Sequence, residues 1–230
     1  MKTIGMIGGA GWPSTLEYYR IINQETNKRL GGLNSAKIIL SSFNYEMIDA
    51  LNKKNDHAGV YELVLDAAFR LKKASADFLI ICANTMNQYV DAIEKETGLP
   101  VIHIADATAE EIKKKSFSKI GLLGTRFTME MDFYKNRFSQ FGIESIVPAN
   151  PEREFIHSAI MDELLKEIFK KETKNRFLNI IDDLKSNGAE GIVLGCTEIP
   201  LLIKQKDVSI PVFNTLENHA KTAVSFLLKN

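Results

Sequence analysis

Short, continuous apolar runs alternate along this chain with longer stretches in which apolar residues recur at helical spacing. That alternation predicts βαβ units around a mostly parallel sheet. The strands predicted in the first half are Thr3–Ile7, Ala36–Ser41, Asp77–Cys82 and Val101–Ile104. Those in the second half are Lys119–Leu123, Ser145–Val147, Gly191–Gly195 and Val212–Phe213. Helical periods run over Ser14–Arg29, Gly59–Ala74, Thr128–Phe141 and Arg176–Asn187. The runs Phe78-Leu79-Ile80-Ile81 and Ile192-Val193-Leu194 are apolar without alternation, as strands covered on both faces should be.

The two sets of elements repeat one another. Lys2-Thr3-Ile4-Gly5-Met6-Ile7-Gly8-Gly9 parallels Lys119-Ile120-Gly121-Leu122-Leu123-Gly124-Thr125, and Asp77 to Thr85 parallels Glu190 to Glu198. Gly98-Leu99-Pro100-Val101-Ile102 parallels Ser209-Ile210-Pro211-Val212-Phe213, and a helix follows each. The spacings agree: Gly5 to Cys82 is 77 positions, Gly121 to Gly195 is 74, Gly5 to Gly121 is 116 and Pro100 to Pro211 is 111. A period this long is no solenoid. The expectation is two similar α/β half-domains related by a pseudo-twofold: residues 1–104, then 105–215, with the last helix, 216–230, packing back on the first half. Ligands of open α/β sheets sit beyond the carboxyl ends of the strands, so the site is expected in a cleft between the halves.

Composition narrows the function. Lys plus Arg number 29, as do Asp plus Glu, and the formal net charge is +0, which leaves no electrostatic footprint for nucleic acid. Lys113-Lys114-Lys115 reads as a solvated helix end. No apolar run is long enough to cross a membrane. The two cysteines, Cys82 and Cys196, form neither a disulfide framework nor metal-ligand spacing, so no metal is expected. The expected setting is the reducing cytoplasm.

The chemistry concentrates after the third strand of each half. One ends Ile81-Cys82-Ala83-Asn84-Thr85-Met86-Asn87 and the other Leu194-Gly195-Cys196-Thr197-Glu198-Ile199. Alignment sets Ala83 opposite Cys196. A thiol at a strand end that opens a helix gains from nearby N–H groups, which favour the thiolate and make it a proton abstractor. Against this stands the reading of Cys196 as a small buried apolar residue. Cys82 is displaced by one position, and strand alternation turns it away, so it is expected to be structural. Asn84, Thr85 and Thr197 suit helix N-capping as well as anion binding. Gly8-Gly9-Ala10-Gly11 is no dinucleotide fingerprint and is expected to let backbone approach a small anion. Asn52-Lys53-Lys54-Asn55 reads as a solvated loop, the alternative being contact with a distal carboxylate. His57 and His157 are expected at the surface, and His103 and His219, in similar places after the two Pro-containing strands, are expected to support the helix starts.

Taken in order, Ile4-Gly5-Met6-Ile7-Gly8-Gly9 with Trp12, Ser14-Thr15 and Tyr18-Tyr19, then Asn84-Thr85-Met86, His103-Ile104-Ala105-Asp106-Ala107-Thr108, Gly121-Leu122-Leu123-Gly124-Thr125 and Gly195-Cys196-Thr197-Glu198-Ile199 resemble the aspartate/glutamate racemase family over the whole chain. The resemblance implies the two-half fold, no cofactor, a homodimer, and a small acidic amino acid or dicarboxylate as ligand. It also implies Cα proton transfer between two thiols on opposite faces of the substrate, with Cys196 as one of them. Asn84, Thr85, Thr125 and Thr197 match the positions that hold the substrate α-carboxylate. The chain departs from the pattern at Ala83, where the family has its first catalytic cysteine. It departs again at Asn87, for a histidine, and at Asn214, for an acidic residue. Three outcomes follow: an impaired or one-sided racemase, a single-cysteine decarboxylase or isomerase of a small dicarboxylate, or a non-catalytic dicarboxylate-binding homologue.

Overall fold

The computed structural model describes residues 1–229. The chain begins β1 (Thr3–Gly8), α1 (Trp12–Leu30), β2 (Lys37–Ser42), α2 (Tyr45–Lys53), α3 (His57–Lys73) and β3 (Phe78–Ile81). A 3₁₀ turn over Thr85–Tyr89 leads to α4 (Val90–Thr97), β4 (Val101–Ile102) and α5 (Ile104–Lys114). The second set is β5 (Lys119–Gly124), α6 (Arg126–Glu130), α7 (Asp132–Gln140), β6 (Glu144–Ile146), α8 (Asn150–Asp162) and α9 (Lys171–Ser186). It closes with β7 (Gly191–Gly195), α10 (Ile199–Leu202), β8 (Val212–Asn214) and α11 (Thr215–Leu227). Two four-stranded sheets result, ordered β2-β1-β3-β4 and β6-β5-β7-β8, and every strand pairing is parallel. The chain divides into two compact units, residues 1–104 with 219–230, and residues 105–218.

Central strands and edges differ as the sequence pattern requires. β3 and β7 are buried at every position, whereas the edge strand β2 has only exposed and half-buried residues. The repeat has one packing cause in both units. A Cβ on Gly5 would come within 2.6 Å of the Leu79 side chain and 3.3 Å of Leu71 on α3. A Cβ on Gly121 would come within 2.7 Å of Ile192 and 2.9 Å of Leu184 on α9. Glycine in the first strand of each unit therefore lets the helix before the neighbouring strand lie close on the sheet.

Each unit buries its own apolar cluster. Val64, Ala68, Leu71, Leu79 and Ile81 lie in the first, and Ile160, Phe177, Ile181, Ile192 and Leu194 in the second. The helical period over Thr128–Phe141 forms two helices, because Met131 adopts extended backbone between them. Buried Met129, Tyr134 and Phe138 explain the break. The five-residue step from Met129 to Tyr134 is out of phase for one continuous helix face, and the extended residue resets it.

The predicted strand Val101–Ile104 stops at Ile102 because the Ile104 N–H is captured by the Asn87 Oδ1 at 3.0 Å, and α5 begins there. In the first unit, α11 is tied down by Phe226 against Phe78 and by Lys2 N–H donating to the Leu227 carbonyl at 3.2 Å. His219 lies inside α11, not at its start. Its Nε2 meets the Ile102 carbonyl at 2.9 Å and its Nδ1 meets the Tyr18 hydroxyl at 2.8 Å. A carbonyl can only accept, so Nε2 carries the proton and Nδ1 accepts from Tyr18. Among the described residues no helix is long and apolar enough to cross a membrane.

Candidate active site

The register of the central strands fixes the equivalence of the two strand ends. Gly5 pairs with Leu79, and Gly121 with Ile192. Counting forward from these pairs makes Cys82 the counterpart of Gly195 and Ala83 the counterpart of Cys196, as the alignment has them. Cys82 is fully buried, its N–H donates to the Ile7 carbonyl at 2.8 Å, and burial pushes its thiol far up. Ala83 is only half-buried. The turn behind it is held by Asn87, whose Nδ2 donates to the carbonyls of Ile81 (3.2 Å) and Ala83 (2.6 Å). With the Ile104 N–H on its Oδ1, this amide is occupied at both ends by main chain. Asn84 is buried beside it and makes no side-chain cap, and Thr85 opens the 3₁₀ turn.

In the second unit the strand end carries charge. Cys196 is 6% exposed, and its thiol donates to Glu198 Oε2 at 2.9 Å. The Thr197 hydroxyl donates to the same oxygen at 3.0 Å, and Glu198 is itself buried. The expectation that strand-end geometry favours the thiolate needs correction. Burial raises the Cys196 thiol well above its usual range, and the charge of Glu198 and the bond to it add to the rise. The N–H groups of Glu198 and Ile199 pull the other way and are outweighed. The resting group is a thiol, because desolvation and a neighbouring anion both oppose a second negative charge.

Thr125 follows β5, the strand paired with β7. Its hydroxyl caps α6 by accepting from the Thr128 N–H at 3.4 Å. Tyr134 on α7 is fully buried, and its phenol is raised chiefly by burial, with ionisation of Cys196 and the charge of Asp106 opposing a phenolate there. Asp106 on α5 pairs with Arg137 at 3.2 Å.

The structure thus gathers Cys196 and Thr197 around one carboxylate and puts Thr125 just beyond the end of the adjoining strand. Asn84, Thr85 and Ala83 belong to the first unit. Sequence reasoning quoted Glu198 without giving it a role, although a carboxylate two residues from a thiol in one tight turn is the signal that could have found it. Tyr134 carries no local signal and reaches the site only through packing.

Three other expectations change, and Asn214 takes a structural part. The Gly9 N–H is taken by the Thr15 hydroxyl at 2.9 Å. A Cβ on Gly9 would strike the Phe43 backbone at 2.3 Å, so Gly9 itself serves packing and its N–H is already bonded. Asn52 and Lys53 end α2, and Lys53 pairs with Asp49. His157 is half-buried, and burial lowers its pKa, as does the neighbouring Arg126. Asn214 accepts from the Glu217 N–H at 3.2 Å and thereby caps α11. Among the described residues no group of three or more His, Cys, Asp or Glu side chains is placed to hold a metal ion.

Two parallel α/β units of one strand order define the class of two-unit racemase-fold proteins, which the fold matches also in remote glutamate racemases. Within that class the chain belongs to the Asp/Glu/hydantoin racemase family, whose model matches residues 7–223. It is similar to a candidate Asp/Glu racemase of solved structure from Yersinia pestis, with 45% identity, full coverage of both chains and a TM-score of 0.93. An aspartate racemase homologue from Pyrococcus horikoshii OT3 shares 34% identity, again with full coverage of both, at a TM-score of 0.85. The broad specificity amino-acid racemase RacX of Bacillus subtilis is 22% identical over 98% of each chain. Matched curated glutamate racemases are longer: the chain spans 63% of one and 54% of another.

Proposed function

We propose that this chain is a cofactor-independent, racemase-like enzyme that acts on aspartate or glutamate by Cα proton transfer, with Cys196 as its acid/base. The observation that carries the reading is a thiol bonded to a buried carboxylate at the carboxyl end of a central strand, in a chain of this family. Asn84, Thr85, Thr125 and Thr197 are assigned to the substrate carboxylate by their match to family positions. The reading includes a homodimer and a cytoplasmic setting, in keeping with two free thiols. The test is loss of the Cα proton signal in deuterated water for D- and L-aspartate and D- and L-glutamate. Exchange by the wild type and a fall of about 10²- to 10⁴-fold in Cys196→Ala are expected for loss of a general base. Unchanged exchange in the variant would remove Cys196 from this role.

Ala83 favours a second reading. Its methyl has no proton to transfer, and the neighbouring Cys82 thiol is fully buried. Turnover is then one-sided, or the chemistry needs only one thiol, as in decarboxylation or isomerisation of a small dicarboxylate. Carbon dioxide release or double-bond migration without Cα exchange would select that reading. Calorimetric binding with neither would select a non-catalytic dicarboxylate-binding protein.

A further inference from the structure

We propose that the open edge of the first unit's sheet is where two copies of this chain join. β2 of one copy pairs antiparallel with β2 of the other, and the two α1 helices close over the seam. The inference deepens the homodimer reading above, on which it rests for the number of copies, and names the surface.

Main-chain direction prepares this edge. β2 pairs only with β1, and the Phe43 N–H donates to the Gly8 carbonyl at 2.9 Å. Odd-numbered residues of β2 therefore turn their N–H and C=O toward β1, and Ile38, Leu40 and Ser42 turn theirs outward. The outward N–H just before the strand, that of Ala36, is taken by Asn23 Oδ1 of α1 at 3.0 Å. Among the described residues nothing plays that part for Ile38, Leu40 or Ser42. From Ile38 to Ser42 the strand carries neither proline nor charge, the devices that protect an exposed edge.

The side chains along this border are apolar. Trp12, Leu16 and Tyr19 stand at i, i+4 and i+7 on α1 and are 63%, 60% and 53% exposed. Asn23 continues the stripe, so its bond to Ala36 fixes this flank of α1 on the β2 side. The opposite flank faces α11, where Arg29 donates to the Ser225 hydroxyl at 2.9 Å. Leu40 is 48% exposed, and its Cδ1 lies 3.0 Å from where a Cβ on Gly8 would stand, beside Thr15 of α1. Helix and strand thus present one surface, in which these four side chains leave on the order of 500 Å² in water. Two such surfaces give about 1,000 Å², the size that a specific interface requires.

A twofold axis normal to the sheet makes this surface complementary to itself. With Leu40 opposite Leu40 and Ile38 opposite Ser42, about six main-chain hydrogen bonds form, against about four if the axis passed through Ile39. Lys37, the only charge of the strand, then meets Phe43 and not its own copy. α1 lies over the groove between β1 and β2, so the two α1 axes come to stand two strand spacings apart. That is about 10 Å, the separation at which helices pack. The stripes of Trp12, Leu16 and Tyr19 fill the gap.

The test is sedimentation velocity of the full chain over a concentration series, for wild type, Leu16→Glu, Leu40→Glu and Phe69→Glu. Phe69 is an exposed residue of α3, which covers the other face of the sheet: its Leu71 approaches Gly5, whereas Thr15 of α1 approaches Gly8. Wild type is expected to sediment as a dimer. The dissociation constant should rise at least about a hundredfold in Leu16→Glu and in Leu40→Glu, since each change enters a twofold interface twice. Phe69→Glu should leave it unchanged. A wild-type dimer that either of the first two substitutions leaves intact overturns the surface but not the homodimer. A wild-type monomer overturns both and leaves the edge to another partner. Should a glutamate variant fail to fold, Leu40→Cys decides under mild oxidation. Directly opposed residues stand about 5.5 Å apart at Cα, within disulfide reach, and the native Cys82 and Cys196 are buried. Two copies should therefore become linked, and linking no faster than in Phe69→Cys overturns the pairing.

Discussion

Acid should loosen the first unit through His219. The imidazole is fully buried, its Nδ1 accepts from Tyr18, and its Nε2 proton goes to the Ile102 carbonyl. Burial holds its pKa down at about 4, against a smaller opposing pull from the bond to Ile102. A second proton would sit on Nδ1 and turn an acceptor toward Tyr18 into a donor. In the unfolded chain the same histidine takes up that proton near pH 6.5. The unfolded state therefore binds more protons between about pH 6.5 and 4, so stability falls as pH falls through that window. It is complete above the upper limit and changes no further below the lower one.

Between pH 7 and 4.5 the linkage amounts to about 2 kcal/mol. The measurement is urea unfolding by circular dichroism at both pH values for wild type and His219→Gln, in which position 219 cannot titrate. Carboxylates contribute equally to both proteins, so the difference isolates His219. The wild type should lose about 2 kcal/mol more than the variant on acidification. Equal losses would mean that His219 is either protonated in the folded protein or solvated.

Other perturbations test the two strand ends. Asn87→Ala strips partners from two carbonyls and one buried N–H, and should cost about 3 kcal/mol in urea unfolding. A loss under about 0.5 kcal/mol would show that this amide does not hold the turn. Cys82→Ala should leave Cα exchange within about twofold while lowering stability by roughly 1 kcal/mol, and loss of exchange would make Cys82 a base. Ala83→Cys should raise racemisation of aspartate or glutamate, read by optical rotation, and a rate unchanged from wild type would show that a thiol there never reaches Cα.

The fold was legible because its signals are local and repeated. Continuous apolar runs marked β3 and β7, and Gly5 and Gly121 recur 116 positions apart where each sheet takes a close-packed helix. The counterpart of Cys196 was legible for the same reason, since counting along paired strands needs no side-chain geometry. The protonation of Cys196 was not. The strand-end N–H groups are where sequence puts them, but burial and the Glu198 carboxylate outweigh them, and burial is decided by packing far along the chain. His219 does not hold the start of α11, which belongs to Asn214 and Thr215: the Asn214 side chain accepts from Glu217, and the Thr215 hydroxyl donates to the Leu194 carbonyl at 2.9 Å. Nothing in the local sequence ties position 219 to Tyr18, 201 residues away.

The two units end their central strands with different chemistry, and the difference involves more than one position. After β7 the turn is held by Cys196, Thr197 and Glu198 through side-chain donors converging on one carboxylate oxygen. After β3 the equivalent turn is held by Asn87 through neutral bonds to main chain. A histidine at Asn87 would bring an ionisable group to that turn, and a thiol at Ala83 would have something to exchange protons with. With alanine and asparagine together, the first unit's strand end carries no ionisable group at these two positions, and the Asn87 amide is committed to structure. Restoring the thiol alone therefore supplies a group beside a neutral amide, whereas the Cys196 thiol donates to a carboxylate at 2.9 Å. The gain in Ala83→Cys is accordingly expected to be limited by thiol ionisation and to grow with pH. Of the two strand ends, only the one after β7 brings a thiol and a carboxylate into one hydrogen bond, so pH should act on the two ends differently.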